Sequence, residues 1–189
     1  MKIIITESQL KKLIKNNLNE NFLDFHSMNY DDQKKIYKIF KDSYEKSVGV
    51  SWTEDKFFNR VKNWKFYGDE NGFISVRPQN SGFYKLVGVA GSLKGILKGL
   101  DYLNNEGYPI WGMVSEDIKN MAIRKGFKVP SELELNMLYS IIPSSVFGGV
   151  ETEVNKDGSL TLKYPDVGDT IKYFIGNEKY FDKMKSLKS

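Results

Sequence analysis

Glycines and a lysine between positions 88 and 99 form the part of the sequence whose spacing could do chemistry. Glycines stand at 88, 91, 95 and 99, with Ser92 and Lys94 between them. Glycine lets backbone N–H groups approach a bound group closely, and a helix N-terminus attracts anions, so this stretch predicts a phosphate-binding turn. An ordinary strand-to-helix turn has the same composition, and that interpretation stays open.

Few other residues are candidates for catalysis. The sequence has no cysteine, which excludes cysteine nucleophiles, thiolate zinc sites and disulfides. His26 is the only histidine, and it lies near Asp24 in a polar segment, which argues against a Ser-His-Asp triad. Glu116 and Asp117 open a predicted helix, where carboxylates stabilise the helix dipole. We therefore leave the catalytic residues unassigned and expect no metal.

Composition and charge narrow the class of protein. The 189 residues are 40% hydrophobic, which is enough for one domain with its own core. The net charge of +4 is small, and the aromatic residues between Trp52 and Tyr67 are spaced like core residues, so we do not expect a nucleic-acid partner. No apolar run approaches the roughly 18 residues needed to span a bilayer, and no secretory signal is evident. We expect no membrane partner and a cytoplasmic location.

The hydrophobic pattern predicts an α/β fold. Two helices come first, one over 31–46 with Asp31 as its N-cap and one that begins at Thr53. Three strands joined by glycine-containing turns then form an antiparallel meander, at residues 64–67, 73–77 and 83–90. A helix over 92–105 and a strand at 109–114 follow. A strand, helix, strand passage of this length indicates a parallel strand pair.

The remaining residues predict a C-terminal addition. A helix over 115–125 is closed by Gly126, and a further helix has Pro130 in its first turn. Three strands and a helix from Asn177 complete the chain, the strands being at 150–154, 160–164 and 171–175. The predicted organisation is an amphipathic N-terminal appendage, a core, and a helix, hairpin and cap packed on that core, with bounds at 1–21, 22–128 and 129–189.

The order of these elements resembles the GNAT acyltransferase fold. Two helices, a meander, and a strand, helix, strand, helix passage ending at Gly126-Phe127 match that fold over about residues 31–128. The resemblance implies a mixed central sheet flanked by helices, with acyl transfer from acetyl-coenzyme A to an amine. Because one fold serves many functions, the motifs have to decide the activity.

The cofactor motif of the GNAT family is matched in part. In that family a Gln or Arg, two residues, a Gly, one residue and a Gly or Ala hold the coenzyme A pyrophosphate on backbone N–H groups. Lys94 to Gly99 corresponds to this motif, with Leu97 at the middle glycine, and Gly88 to Ser92 offers an alternative cradle. The cofactor-binding residues that the resemblance implies are Val87, Val89, Gly91, Ser92, Leu93, Lys94, Gly95 and Gly99.

The proton donor of the family is missing from its usual position. GNAT enzymes place a tyrosine four residues before the Gly-Phe pair, where it protonates the departing thiolate, and this sequence has Ala122 there. Ser115 matches the asparagine that begins the same helix, and it can cap the helix but is no acid of suitable pKa. Two hypotheses therefore stay open: a divergent acyltransferase, and a non-catalytic GNAT-like virion structural or packaged interaction protein.

The first twenty residues predict a short amphipathic helix. The segment from Ile5 to Ile14 resembles the opening helices of many proteins of large tailed phages. Leu18-Asn19-Glu20 matches the pattern after which phage prohead proteases cut. This resemblance implies a phage origin, phage structural proteins as partners, and a location in the host cytosol or the virion. An ordinary docking helix would have the same apolar stripe.

Overall fold

One eight-stranded sheet organises the protein in a computed structural model that describes residues 22–48, 51–79, 82–135, 151–164 and 168–186. The strands are β1 (Phe22–Leu23), β2 (Lys65–Asp69), β3 (Gly72–Pro78), β4 (Tyr84–Gly91), β5 (Ile110–Val114), β6 (Glu151–Val154), β7 (Ser159–Tyr164) and β8 (Gly168–Gly176). The helices are α1 (Tyr30–Val48), α2 (Glu54–Arg60), α3 (Leu93–Asn105), α4 (Glu116–Arg124) and α5 (Glu178–Ser186). The predicted appendage at 1–21 lies outside the described residues.

The sheet is mixed, with the strand order β1-β2-β3-β4-β5-β8-β7-β6. Strands β4 and β5 pair in parallel, and every other neighbouring pair is antiparallel. The helix α3 connects β4 to β5, as expected for a parallel crossover. The predicted α/β fold, a meander followed by a parallel pair, is confirmed. The order of elements is the one that the GNAT resemblance implies.

The helix caps differ in part from the predicted ones. Asn29, not Asp31, caps α1, because its side-chain oxygen accepts the N–H of Asp32 at 3.0 Å. Asp31 lies in the first turn of the helix instead. Beyond Pro130, Ser131 and Glu134 exchange hydrogen bonds in a capping box, so Pro130 precedes that helix and is not in its first turn. The predicted cap at Thr53 is confirmed.

The C-terminal strands extend the central sheet. The last four residues of β8 pair with β5, from Gly176 opposite Trp111 to Tyr173 opposite Val114. Asn177, which is buried, follows β8 and joins the start of α5 to the start of β5. Its side-chain oxygen accepts the N–H of Ile110 at 3.0 Å, and its amide group donates to the carbonyl of Tyr108 at 2.7 Å.

Helices cover both faces of the sheet. Alternation along the strands gives two sets of side chains, one facing α3 and α4 (the back face) and one facing α1, α2 and α5 (the front face). The back-face core is mostly aliphatic, with Tyr67 and Phe127 as buried aromatic members, and includes Ile74, Val76, Leu86, Leu100, Leu103, Ile110 and Ile175. The front-face core is aromatic and includes Phe40, Phe57, Phe66, Phe73, Trp111, Phe174 and Tyr180. Among the described residues, no helix has the length and apolar character that crossing a bilayer requires.

Two glycines let α3 lie directly on the β2–β3 hairpin. A Cβ atom at Gly95 would lie 2.5 Å from the carbonyl carbon of Gly72, and one at Gly99 would lie 2.5 Å from the carbonyl oxygen of Tyr67. Cβ atoms of real side chains essentially never come this close to backbone atoms of another element. The close backbone approach therefore requires glycine at both positions, and it fixes where the N-terminus of α3 lies.

Ser75 on β3 is fully buried on the front face. Its hydroxyl has no hydrogen-bond partner among the described residues, and its Cα is opposite that of Gly88 on β4. A Cβ atom at Gly88 would lie 2.5 Å from the Ser75 oxygen and 3.1 Å from the ring of Phe40. A buried hydroxyl without a partner costs free energy, so this position is not optimised for stability.

Gly95→Ala should destabilise the protein by about 1–3 kcal/mol, because the added methyl group overpacks α3 against Gly72. In an unconstrained helix the same change would stabilise by up to about 1 kcal/mol, so the sign of the effect is diagnostic. Urea unfolding followed by circular dichroism measures it. Lys94→Ala on the exposed side of the same helix is the control and should stay near wild type. An alanine at 95 that stabilises would contradict the close approach.

Ser75→Ala should raise the free energy of unfolding by about 1 kcal/mol, since it removes a buried hydroxyl without a partner. Ser75→Thr should have the opposite effect, because its extra methyl group meets Gly88 and Phe40. Both variants can be measured by urea unfolding. A clear loss of stability in Ser75→Ala would mean that the hydroxyl is hydrogen-bonded in solution.

Candidate functional site

The parallel pair β4 and β5 ends early. Only Tyr84, Lys85 and Leu86 of β4 have partners on β5, which are Ile110, Trp111 and Gly112. Strand β4 then continues to Gly91, so in the described part of the chain its edge from Val87 onward has no strand partner on that side. We call the gap beside this edge the β4–β5 cleft. Ligands in α/β sheets bind at the carboxyl ends of parallel strands, which is where this cleft opens.

A β-bulge lies where the cleft begins. Val76 is opposite Leu86, but the next residue back along β3, Ser75, is opposite Gly88, so Val87 has no residue opposite it. A bulge bends its strand and redirects backbone groups, and bulges are frequent beside active sites. Val87 therefore interrupts the regular ladder at the point where β4 loses its pairing with β5.

The N-terminus of α3 follows the end of β4. Ser92 caps the helix, because its hydroxyl accepts the N–H of Gly95 at 3.3 Å. The N–H of Ser92 donates to the carbonyl of Asn71 at 2.7 Å. Within the described residues, the N–H groups of Leu93 and Lys94 have no acceptor, and both side chains are exposed. The free donors at this helix end are therefore those of Leu93 and Lys94.

The predicted cofactor-binding residues divide into two groups. Val87, Val89 and Gly91 belong to the part of β4 beside the cleft, and Ser92, Leu93 and Lys94 form the start of α3. Gly95 and Gly99 are buried against the β2–β3 hairpin, so helix packing accounts for their lack of a side chain. The four-residue spacing of these two glycines on an apolar helix face was the signal for packing. Coenzyme A binding at this turn stays a prediction.

The structure shows where the other residues singled out in the sequence lie. Ala122 is fully buried in the back-face core, so the position of the family's tyrosine carries no proton donor. Ser115 precedes α4 without a side-chain capping bond. His26 makes a 2.9 Å hydrogen bond to the backbone carbonyl of Trp64, and Glu116 pairs with Lys119 at 3.3 Å. No cluster of metal-ligating side chains occurs in the ranges that the structure describes.

The sequence analysis missed a cluster of polar and charged side chains on the front face. Arg77 on β3 lies opposite Lys85 on β4, and the Lys85 ammonium lies 4.9 Å from the centre of the Trp111 ring. The Trp111 indole N–H donates to the Gln79 side-chain oxygen at 2.8 Å. Burial and the charge of Arg77 lower the pKa of Lys85 from 10.5 to about 8. The sequence signal for this cluster was a lysine and an arginine at strand positions whose side chains point to the helix-covered front face.

Comparison with known proteins gave structural matches alone. No protein-family model and no curated protein matches the sequence. Among solved structures, the chain is similar to an acetyltransferase of the GNAT family from Staphylococcus aureus Mu50, at 12% identity and a TM-score of 0.44, covering 82% of this chain and 96% of that one. It is also similar to an aminoglycoside 6'-N-acetyltransferase from Enterococcus faecium, at 12% identity and a TM-score of 0.39, covering 79% and 91%.

Lys85→Met should change how stability depends on pH. Because the folded pKa of Lys85 is about 8 and the unfolded value is 10.5, the unfolded chain binds more protons between these pH values. The lysine therefore makes the free energy of unfolding rise with pH across this window. Below pH 8 the methionine variant should be more stable than wild type, and its advantage should shrink toward pH 10.5.

Urea unfolding across that pH window measures this difference. The matched control is Lys62→Met, which removes an exposed lysine and should follow the wild-type pH dependence. A constant difference between Lys85→Met and wild type at all pH values would contradict the lowered pKa of Lys85.

Proposed function

We propose that the protein binds an acyl-coenzyme A in the β4–β5 cleft and is a divergent GNAT-like acyltransferase that acts on an amine. The observation that carries this proposal is the early end of the parallel pairing, which leaves the β4 edge from Val87 to Ala90 without a strand partner among the described residues, beside a helix N-terminus. The N–H of Gly91 is already occupied, because it donates to the Ser43 hydroxyl at 3.2 Å. An extended pantetheine chain carries amide groups, which suit such a strand edge because unpaired backbone N–H and C=O groups bind them.

The cofactor phosphates would lie at the start of α3. The free N–H groups of Leu93 and Lys94 and the exposed Lys94 ammonium are donors for an anion there. Because the N–H groups of Ser92 and Gly95 already have acceptors, the site offers two backbone donors rather than the four of the whole turn. We therefore expect coenzyme A affinity to depend strongly on the charge of Lys94.

The buried Ala122 favours a second function, which is binding without rapid transfer. Protonation of the leaving group by a general acid raises the reaction rate about 10² to 10⁴-fold, and the buried alanine at position 122 cannot donate that proton. A protein that binds acyl-coenzyme A but transfers the acyl group slowly would act as a binding module that has kept the fold. Release of free coenzyme A thiol in the presence of mixed amines distinguishes the two functions.

We also propose an origin and partners for the protein. The N-terminal segment from Ile5 to Ile14 supports a phage protein that meets phage structural proteins in the host cytosol or the virion. Mass spectrometry of protein taken from particles tests this: a mature N-terminus at Asn21 is the expected result. An intact Met1 in particle-derived protein would contradict packaging with cleavage.

Lys94→Glu should weaken acetyl-coenzyme A binding by about tenfold or more, because it replaces a phosphate partner with a like charge. Isothermal titration calorimetry of the full chain with acetyl-coenzyme A measures this. Lys38→Glu, on exposed α1 and equal in charge change, should bind as wild type does.

Two results would overturn the cofactor proposal. The first is a wild-type chain that shows no binding to acetyl-coenzyme A. The second is an equal loss of affinity in Lys94→Glu and Lys38→Glu, which would mean that net charge alone acts and that α3 does not hold the phosphates.

A further inference from the structure

Four tyrosines come together on the back face, at the C-terminal end of α3. Tyr102 lies in the last turn of this helix, and its ring stacks on that of Tyr67 of β2 with 5.2 Å between the ring centres. The ring of Tyr84, the first residue of β4, lies 4.6 Å from that of Tyr108, which precedes β5. Burial raises the pKa of Tyr67, and the other three tyrosines raise it further, so the two ring pairs are close enough to interact. We call these four residues the tyrosine cage.

The ammonium of Lys65 lies over two rings of the tyrosine cage. Its nitrogen is 4.8 Å from the centre of the Tyr108 ring and 5.3 Å from that of the Tyr84 ring. Both distances are within the roughly 6 Å at which the electron-rich face of an aromatic ring attracts a cation. In the ranges that the structure describes, Lys65 forms no ion pair with a carboxylate. These two rings are therefore arranged to hold a positive charge.

Two further features favour a cation at the tyrosine cage. Burial, and then a hydrogen bond to Glu106, raise the pKa of Tyr102 to about 12, so a carboxylate lies beside the rings. The negative end of the α3 dipole lies at the same place, because Tyr102 belongs to the last turn of that helix. A cation in the cage therefore meets ring faces, a carboxylate and a helix C-terminus.

Solvent reaches the tyrosine cage. Three of its four rings are half-buried, as are Lys65 and Glu106, and only Tyr67 is fully buried. A lysine ammonium is strongly hydrated and its four-carbon stem is flexible, so Lys65 can leave the rings for water at small cost. Methyl groups on a nitrogen remove its N–H donors, so a methylated ammonium gives up less hydration than lysine does when it enters an aromatic site.

We propose that the tyrosine cage binds the methylated ammonium group of a small molecule and that Lys65 occupies the cage until such a ligand displaces it. The quaternary nitrogen then lies over Tyr84 and Tyr108, where the Lys65 nitrogen lies in this structure. The site is separate from the proposed cofactor site, because α3 has 13 residues and its two ends are about 20 Å apart. Binding at the cage requires neither acyl-coenzyme A nor acyl transfer.

Choline, titrated into the full chain with ¹³C-labelled tyrosine, tests the proposal by nuclear magnetic resonance. The ring resonances of Tyr84 and Tyr108 are assigned with the variants Tyr84→Leu and Tyr108→Leu, and both should shift saturably. The neutral analogue of choline, in which a carbon atom replaces the nitrogen, has the same shape without the charge. It should bind at least about fivefold more weakly, because the attraction to the ring faces requires a cation.

Substitutions of the rings and of Lys65 should change choline affinity in opposite directions. Tyr84→Leu and Tyr108→Leu should each weaken binding by about fivefold or more. Lys65→Thr should strengthen binding by about threefold or more, because it removes the group that competes for the cage. Lys62→Thr is the matched control, since it removes an exposed lysine that is not over these rings, and it should bind as wild type does.

The results that would overturn the proposal are equally specific. They are the absence of a saturable shift with choline, equal affinity for choline and its neutral analogue, or wild-type affinity in both tyrosine variants. If one tyrosine variant fails to fold, the other still decides. Unchanged or weaker binding in Lys65→Thr would overturn the displacement of Lys65. Titration with acetyl-coenzyme A does not enter this test, so failure of the cofactor proposal leaves it intact.

Discussion

The contact between the backbones of Gly95 and Gly72 is the constraint on which the rest of the site depends. It brings α3 against the β2–β3 hairpin at a distance that admits no side chain. The start of α3 is thereby held at the end of β4, where Ser92 both caps the helix and donates to Asn71. The position of the free N–H groups of Leu93 and Lys94 beside the cleft follows from this packing.

The sequence predicted most of the fold because its signals were local. Hydrophobic periodicity and glycine turns gave the meander, the crossover helix and the C-terminal hairpin with bounds close to the observed ones. Asn29 was missed as the cap of α1 because Asp31 is an equally good cap by type. The roles of Gly95 and Gly99 depend on what lies against the helix, and the polar group around Lys85 forms only when separate strands pair. Spacing indicates the face on which these residues lie, but it does not show what packs against that face.

The two faces of the sheet carry different chemistry across one strand. On the back face, β4 meets a mostly aliphatic core that also holds the phenols of Tyr67 and Tyr84, while Ala122 adds no acid or base. On the front face, Lys85 lies among charged and aromatic groups, close to the bulge at Val87. The back face therefore offers phenols and the Lys65 ammonium, 5.3 Å from the centre of the Tyr84 ring, while the front face offers Lys85 over the indole of Trp111.

Asn177 has a consequence for how the chain acquires its fold. The hydrogen bonds that this side chain makes to Tyr108 and Ile110 join residues separated by 69 and 67 positions. A ribosome makes the chain from its N-terminus, so β5 exists as an open sheet edge until β8 and Asn177 have been synthesised. An uncovered edge strand invites pairing with other chains. The nascent protein is thus most prone to aggregation before β8 has been made, and truncation before Gly168 leaves that edge exposed.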